Sequence, residues 1–179
     1  MTVLRLELRR GRTALILWSG AISAMLLICM AVFPEMKAQF DAVNRLFQNL
    51  GAFSAAFGMD QINFATAMGF YGLECGNILG ICGGFFAALM GISALSKEEQ
   101  EHTAEFLLTH PVGRTRIALE KLLALAVQIL ALNAFVALFG GLGFALAGET
   151  PDAGAFARLH LAHALLQLEI AGLCFGLSA

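Results

Sequence analysis

Charge is scarce in this sequence: 13% of its 179 residues are charged, against 59% hydrophobic. A water-soluble domain carries about a quarter of its residues as charge, so the composition points instead to a polytopic membrane protein. No basic patch with interleaved aromatic residues is present, which removes nucleic acid from the expected partners. The net charge of −2 carries no further information, because here the distribution of charge matters and its sum does not. Paired cysteines are also lacking. Cys29, Cys75, Cys82 and Cys174 all fall inside apolar runs, without ligand-like spacing, and read as small buried apolar residues. There is no GxxxxGK[ST] segment to cradle phosphates, so no ATP hydrolysis is expected of this chain, and no HExxH to hold a catalytic metal.

What is present is a set of long apolar runs. Thr13 to Phe33 is uncharged and about the twenty residues that a helix needs to cross roughly 30 Å of hydrocarbon. It is too long for the core of a signal peptide, and it ends in Val32, Phe33 and Pro34 instead of a small-x-small cleavage site. Further spans are expected at 68–95, 118–148 and 159–179, the second interrupted by Glu74 and the fourth by Glu169. The fold class is therefore all-α: a helical membrane protein with four transmembrane spans in one domain, 1–179. Arg5, Arg9, Arg10 and Arg12 precede the first span, and Lys97, Arg114, Arg116 and Lys121 lie between the second span and the uncharged run of the third, which begins at Leu122. Against these eight, the other side has three, Lys37, Arg45 and Arg158, which places the amino terminus and the loop 96–117 in the cytosol of a multi-pass plasma-membrane protein.

The flanks carry their own patterns. Arg5, Arg9 and Arg12 share one helical face and Leu4, Leu8 and Leu15 lie toward another, which predicts a short amino-terminal interfacial helix leading into the span. In the outer segment 34–67, Phe40, Val43, Leu46, Phe47 and Leu50 recur at helical spacing, so an amphipathic helix ending near Gly51 is expected on the outer surface, as a packed connector rather than a lid. Within the second span Gly72, Gly76, Gly80, Gly84 and Ala88 follow one another at four-residue intervals, the small-xxx-small pattern of intramembrane helix packing. Glu74 and Glu169 are the candidates for a substrate or proton pathway, since a carboxylate in a span is costly unless it faces a cavity or a partner. His160, His163 and Gln167 share a face of the fourth span from which Glu169 points away, and the two histidines read as interfacial rather than metal ligands.

The segment between the second and third spans holds much of the chain's charge. Ser96 and Glu99 form a capping-box pattern, with Glu98, Glu99 and Glu101 where a helix amino terminus favours negative charge, so a short cytosolic helix is expected to start at Ser96. Pro111 stops it near Thr109 or His110, and Thr115 or Arg114 leads into the third span. Phe106, Leu107 and Leu108 in a row need a cover, supplied by the protein's own inner surface or by a partner.

At these residues the chain resembles the ABC-2 type permeases, the membrane subunits of one class of ATP-binding-cassette transporters. The likeness rests on Glu98-Glu99, Thr103, Glu105-Phe106-Leu107-Leu108, Pro111-Val112, Arg114 and Lys121-Leu122-Leu123, with support from Glu7-Leu8-Arg9-Arg10, Phe57-Gly58 and Met68-Gly69-Phe70. The resemblance implies an exporter half: two permease subunits pair as a homo- or heterodimer among membrane lipids, and a cytosolic ATP-binding-cassette ATPase, holding ATP and magnesium, docks beneath each. It also implies that Glu98, Glu99, Glu101, Thr103, Glu105, Phe106, Leu107, Leu108, Pro111 and Arg114 occupy the coupling positions that receive the ATPase. His102 stands where the family commonly has glycine, and Gly113 where it often has serine. The family has six spans, so a chain ending at Ala179 is expected to be a fragment or a truncated product. The alternative function is a membrane scaffold or sensor recruiting another cytosolic protein. An intramembrane metal-dependent hydrolase is the weaker rival, since its candidate ligands face opposite ways.

Overall fold

In a computed structural model, which describes residues 2–49, 66–100 and 113–178, those residues form four long helices. They are α1 (Thr2–Asn49), α2 (Ala67–Gln100), α3 (Arg114–Leu146) and α4 (Ala153–Leu177). No strand occurs among the described residues, and all four helices are long and apolar enough to cross a membrane, over Val3–Lys37, Ala67–Ser96, Thr115–Leu146 and Ala153–Leu177.

α1 is one continuous helix of 48 residues. At 1.5 Å per residue it is about 70 Å long, more than twice the hydrocarbon thickness, so both of its ends must leave the bilayer. The arginine-bearing first turns thus belong to the same helix as the span. So does the stretch after Pro34, in place of the separate outer helix that its periodicity predicts. Pro34 sits inside α1 with its ring on an exposed face, and removes only the one amide that would have bonded to the carbonyl four residues earlier. Leu50 and Gly51, at the expected end of that outer helix, lie outside the described residues.

The helices form a ring in the order α1, α3, α4, α2. The most extensive contacts are α1 with α3 and α2 with α4, and both pairs are parallel. Along α2 and α4 the pairing keeps a steady offset: Tyr71 meets His160, Leu79 meets Gln167 and Gly91 meets Ser178, separations of 89, 88 and 87 residues. Each helix buries one stripe. On α1 it is Ile22, Leu26, Met30 and Phe33, at helical spacing, and these join Tyr71, Leu79 and Phe86 of α2 and Ile129, Leu132 and Val136 of α3 in one cluster. The opposite faces are equally apolar, with Leu17, Ile28, Phe85, Leu138 and Leu173 exposed, as expected where lipid replaces water.

α3 and α4 are joined by a short turn. Gly148 takes φ +69°, the Glu149 amide donates to the Phe144 carbonyl at 3.0 Å and the Gly148 amide to Ala145 at 3.2 Å, which is a Schellman closure of α3. Asp152 then caps α4 by accepting from the Gly154 amide at 2.9 Å.

The small-residue ladder of α2 is not one packing row within this chain. Cβ atoms added at Gly72 or Gly76 would meet nothing within 4 Å, whereas at Gly80 and Gly84 they would lie 3.7 Å from His163 and 3.6 Å from Ile170 of α4. A four-residue step turns an α-helix about 400°, so from Gly72 to Ala88 the ladder winds about 160° around the axis. The row that α4 actually presses upon is Gly83, Ala87 and Gly91, all three buried.

Candidate functional site

Buried polar side chains in an apolar bundle are the natural place to look for function, because each has to be satisfied at its own depth. They occur in three tiers. The first lies at the end where α1 and α3 begin and α2 finishes. Lys121, 1% exposed, extends its ammonium group between three helices, donating to Glu7 Oε1 of α1 at 3.1 Å and to the main-chain carbonyl of Ala94 on α2. A buried ammonium costs several kcal/mol unless it is paired and hydrogen-bonded, so these partners are what allow it to sit there. Gln128, two turns along the same face of α3, donates its amide to the Glu7 carbonyl at 3.2 Å and packs against Gly11. Glu120 accepts from the Leu4 amide at 3.1 Å, satisfying from a neighbouring helix one of the open amides in the first turn of α1. Next to Lys121 is a cavity of about 110 Å³ lined by Glu7, Arg10, Gly11, Ser93 and Gln128 among others.

The middle tier joins α3, α4 and α2. Asn133 donates to Gln167 Oε1 at 2.7 Å and to the Ile129 carbonyl at 2.9 Å, while Gln167, fully buried, donates to the Leu79 carbonyl at 3.3 Å. Gly83 leaves the space that the Gln167 side chain fills.

The third tier is aromatic. Tyr71, wholly buried, pairs its hydroxyl with His160 Nε2 at 3.0 Å and stacks on Phe156, with Phe144 tilted against it. Gly140 makes room for the phenol ring. His160 is thus inside the bundle at 7% exposure. Its position two turns into α4, on the stripe with Ala164, Gln167, Ala171 and Phe175, is what turns it inward. His163 is half-buried and bonds the Leu159 carbonyl through Nδ1 at 2.9 Å. Beyond this tier, Lys37 and Glu149 pair at 2.7 Å on the exposed rim.

The two carboxylates singled out as pathway candidates are not brought together. Glu74 is half-buried between α2 and α1, where Cys29 Sγ approaches its Oε2 at 3.8 Å. Glu169 is exposed on the outer face of α4, in the middle of an apolar helix. Among the described residues no group of three or more His, Cys, Asp or Glu converges as a metal site would require.

The two helices that flank residues 101–112 end and begin at the amino-terminal end of the bundle. The helix start expected at Ser96 does not occur, because α2 runs through to Gln100 and Ser96 turns its hydroxyl back to the Ile92 carbonyl at 2.8 Å. Glu98 and Glu99 are in the last turn of α2, and Arg114 opens α3 behind Gly113. Glu101, Thr103, Glu105, Phe106, Leu107, Leu108 and Pro111 lie outside the described residues.

The sequence alone does not disclose the Lys121–Glu7 bridge, the Asn133–Gln167 pair or the Tyr71–His160 pair. The signal it does carry is a uniform one: Gln128, Asn133 and the lone tyrosine are uncharged polar residues inside otherwise apolar spans.

Across its whole length, residues 1–179, the chain matches the family described as ABC-2 family transporter protein. No curated protein and no solved structure matches it. The chain belongs to that family, a membrane component of ABC transporters.

Proposed function

From that membership we propose that the chain is a permease subunit which moves its cargo outward across the plasma membrane. Its energy comes from a separate cytosolic ATP-binding-cassette ATPase holding ATP and magnesium, and its amino terminus is cytosolic. The observation that carries this reading is where the 101–112 segment emerges. Its flanking helices end and begin beside the first turns of α1, at the arginine-rich end of the bundle, and Lys121 bonds both Glu7 and the Ala94 carbonyl there. Lys and Arg are retained on the cytosolic side, so that end faces the ATPase.

In this reading Glu98, Glu99, Glu101, Thr103, Glu105, Phe106, Leu107, Leu108, Pro111 and Arg114 form the docking segment. A push on it reaches the last turn of α2 and the first turn of α3 without an intervening linker. A second permease subunit covers part of the outer surface, where the exposed Glu169 and the open Gly72 and Gly76 give it polar and close-packing contacts. Glu74 and Glu169 remain the pathway candidates, and Glu169, which faces away from the other three helices, would line a pathway between subunits rather than one within the bundle.

The test is co-purification of the ATPase with variants carrying Glu98→Lys with Glu99→Lys, or Leu107→Asp. The expected result is loss of the ATPase, or of its coupled activity, with thermal unfolding of the spans unchanged. Retention of both the ATPase and coupled activity would refute the docking assignment.

A further inference from the structure

We infer that one face of α1, carrying Arg5, Arg9 and Arg12, is a seat for the headgroup of an anionic phospholipid, of the phosphatidylglycerol type. This goes beyond the transport reading and does not depend on it. Arg9 and Arg12 follow Arg5 at offsets of four and seven, and Ile16 extends the series to eleven. At about 100° per residue these four lie within about 60° of arc, and all four are exposed. The other flanks of this end of α1 are occupied. Glu7 reaches Lys121, Gly11 packs against Gln128 and the Leu4 amide bonds Glu120, all on α3. Ala14 and Arg10 border the cavity shared with Met90 and Ser93 of α2, so Arg10 is not part of the face.

What the face meets is set by depth. Ile16 is 57% exposed within the uncharged run that begins at Thr13, so this side of α1 meets acyl chains. The same line on the helix meets the headgroups of those lipids where it leaves the hydrocarbon. Arg12 is the last charged residue before the run, and Arg9 and Arg5 stand about 4.5 Å and 10.5 Å further out. The headgroup layer of one leaflet is roughly 5–8 Å deep, so Arg12 and Arg9 lie in it and Arg5 at its outer edge.

Charge selects the headgroup. The carboxylates of Glu7 and Glu120 are already engaged, by Lys121 at 3.1 Å and Arg116 at 3.2 Å. Among the described residues no ion pair or side-chain hydrogen bond holds the guanidinium of Arg5, Arg9 or Arg12. A guanidinium fork matches the phosphodiester of any phospholipid, but three of them on one face favour a headgroup with a net negative charge over a zwitterionic one.

The full chain, purified in mild detergent, is presented with equal amounts of phosphatidylglycerol and phosphatidylcholine of identical acyl chains, and retained lipid is counted by native mass spectrometry. An arginine at an anionic surface is worth about fivefold, so the two within the headgroup layer should give phosphatidylglycerol a preference of about 25-fold. Arg9→Gln and Arg12→Gln should each lower it about fivefold, and together bring it close to one. Arg158→Gln removes the same charge at the opposite end of the bundle and should leave the preference in place. Soluble glycerophosphoglycerol at the same concentration should not displace the lipid.

Bilayers of the two lipids, each in turn with brominated acyl chains, locate the site. Trp18 is the single tryptophan, so Trp18→Phe with Ile16→Trp puts the only fluorophore on the face itself. Brominated phosphatidylglycerol should quench it more than brominated phosphatidylcholine. Raising the ionic strength from about 0.1 M to 1 M, which shortens the Debye length from about 10 Å to 3 Å, should narrow the gap. Equal retention or equal quenching, a preference that survives Arg9→Gln with Arg12→Gln, one lowered as much by Arg158→Gln, or displacement by the soluble headgroup would each overturn the assignment. Loss of the ATPase from the double variant with the lipid preference intact would give the face to a protein partner instead.

Discussion

Replacing Gly91 by alanine should loosen the inner half of the bundle, and replacing Gly76 by alanine should not. A methyl group at Gly91 would lie 2.7 Å from the Ala171 carbonyl oxygen and 2.9 Å from the Cys174 Cβ, both inside van der Waals contact. Neither obstacle is the far end of a flexible side chain, so α2 and α4 must separate locally. Overpacking of that kind costs about 1–3 kcal/mol, and for a chain of this size each kcal/mol lowers the unfolding midpoint by roughly 2–4 °C. At Gly76 the methyl meets nothing within 4 Å, and alanine's better helix propensity should leave stability unchanged or slightly raised, by up to about 1 kcal/mol. The four free thiols make the assay convenient: Cys75 is buried and Cys174 half-buried beside the site, so a thiol-reactive dye reports melting in detergent. Equal midpoints for the two variants would show that the helices do not meet along Gly83, Ala87 and Gly91.

Asn133→Leu or Gln167→Leu, each removing one arm of a 2.7 Å bond, should cost about 1 kcal/mol, and a double-mutant cycle should return a coupling of the roughly 0.6–1.7 kcal/mol found for interhelical bonds in membranes. Additive effects would deny that the two side chains meet. Lys121→Met should cost about 3 kcal/mol by stranding Glu7 beside an uncharged partner, whereas Lys37→Met, which breaks a pair with side chains 50% and 36% exposed, should cost less than about 1 kcal/mol. Thermal unfolding of the two proteins side by side checks the order, and a reversal of it would contradict the burial of Lys121.

The number of membrane helices was legible because an apolar run of twenty or more residues is long enough to span the hydrocarbon and too greasy to remain in water. Their partners were less legible. A span that is apolar all round gives no periodic signal for which face meets protein and which meets lipid, so the stripe Ile22, Leu26, Met30 and Phe33 could not be told from Leu17 and Ile28. Gly72 through Ala88 looked like a single row because fours are easy to see in sequence, although the helix turns 3.6 residues at a time. Ser96 looked like a cap because serine suits that role, but its hydroxyl is equally satisfied by a carbonyl one turn back. Lys121 read as a loop charge, and only the approach of α1 and α2 makes it a buried group with two partners. Of the segment between α2 and α3, the family likeness was readable in the residues themselves, while its geometry depends on positions outside the described ones.

The parallel pairing of α1 with α3 and of α2 with α4 constrains how the bundle can be built. When α1 has been synthesised and has entered the bilayer, the helix that will cover most of its inward stripe does not yet exist. Ile129, Leu132 and Val136, which join Ile22, Leu26 and Met30 in the core, are made about a hundred residues later, after α2 and the segment that follows it. The same holds for Tyr71, which waits for His160, 89 residues on. Each helix therefore spends its early life against lipid or insertion machinery, with side chains that will later be interior. The packing among these four helices is reached by interleaving two pairs rather than by zipping neighbours in turn, so their shared core stays open until α4 arrives.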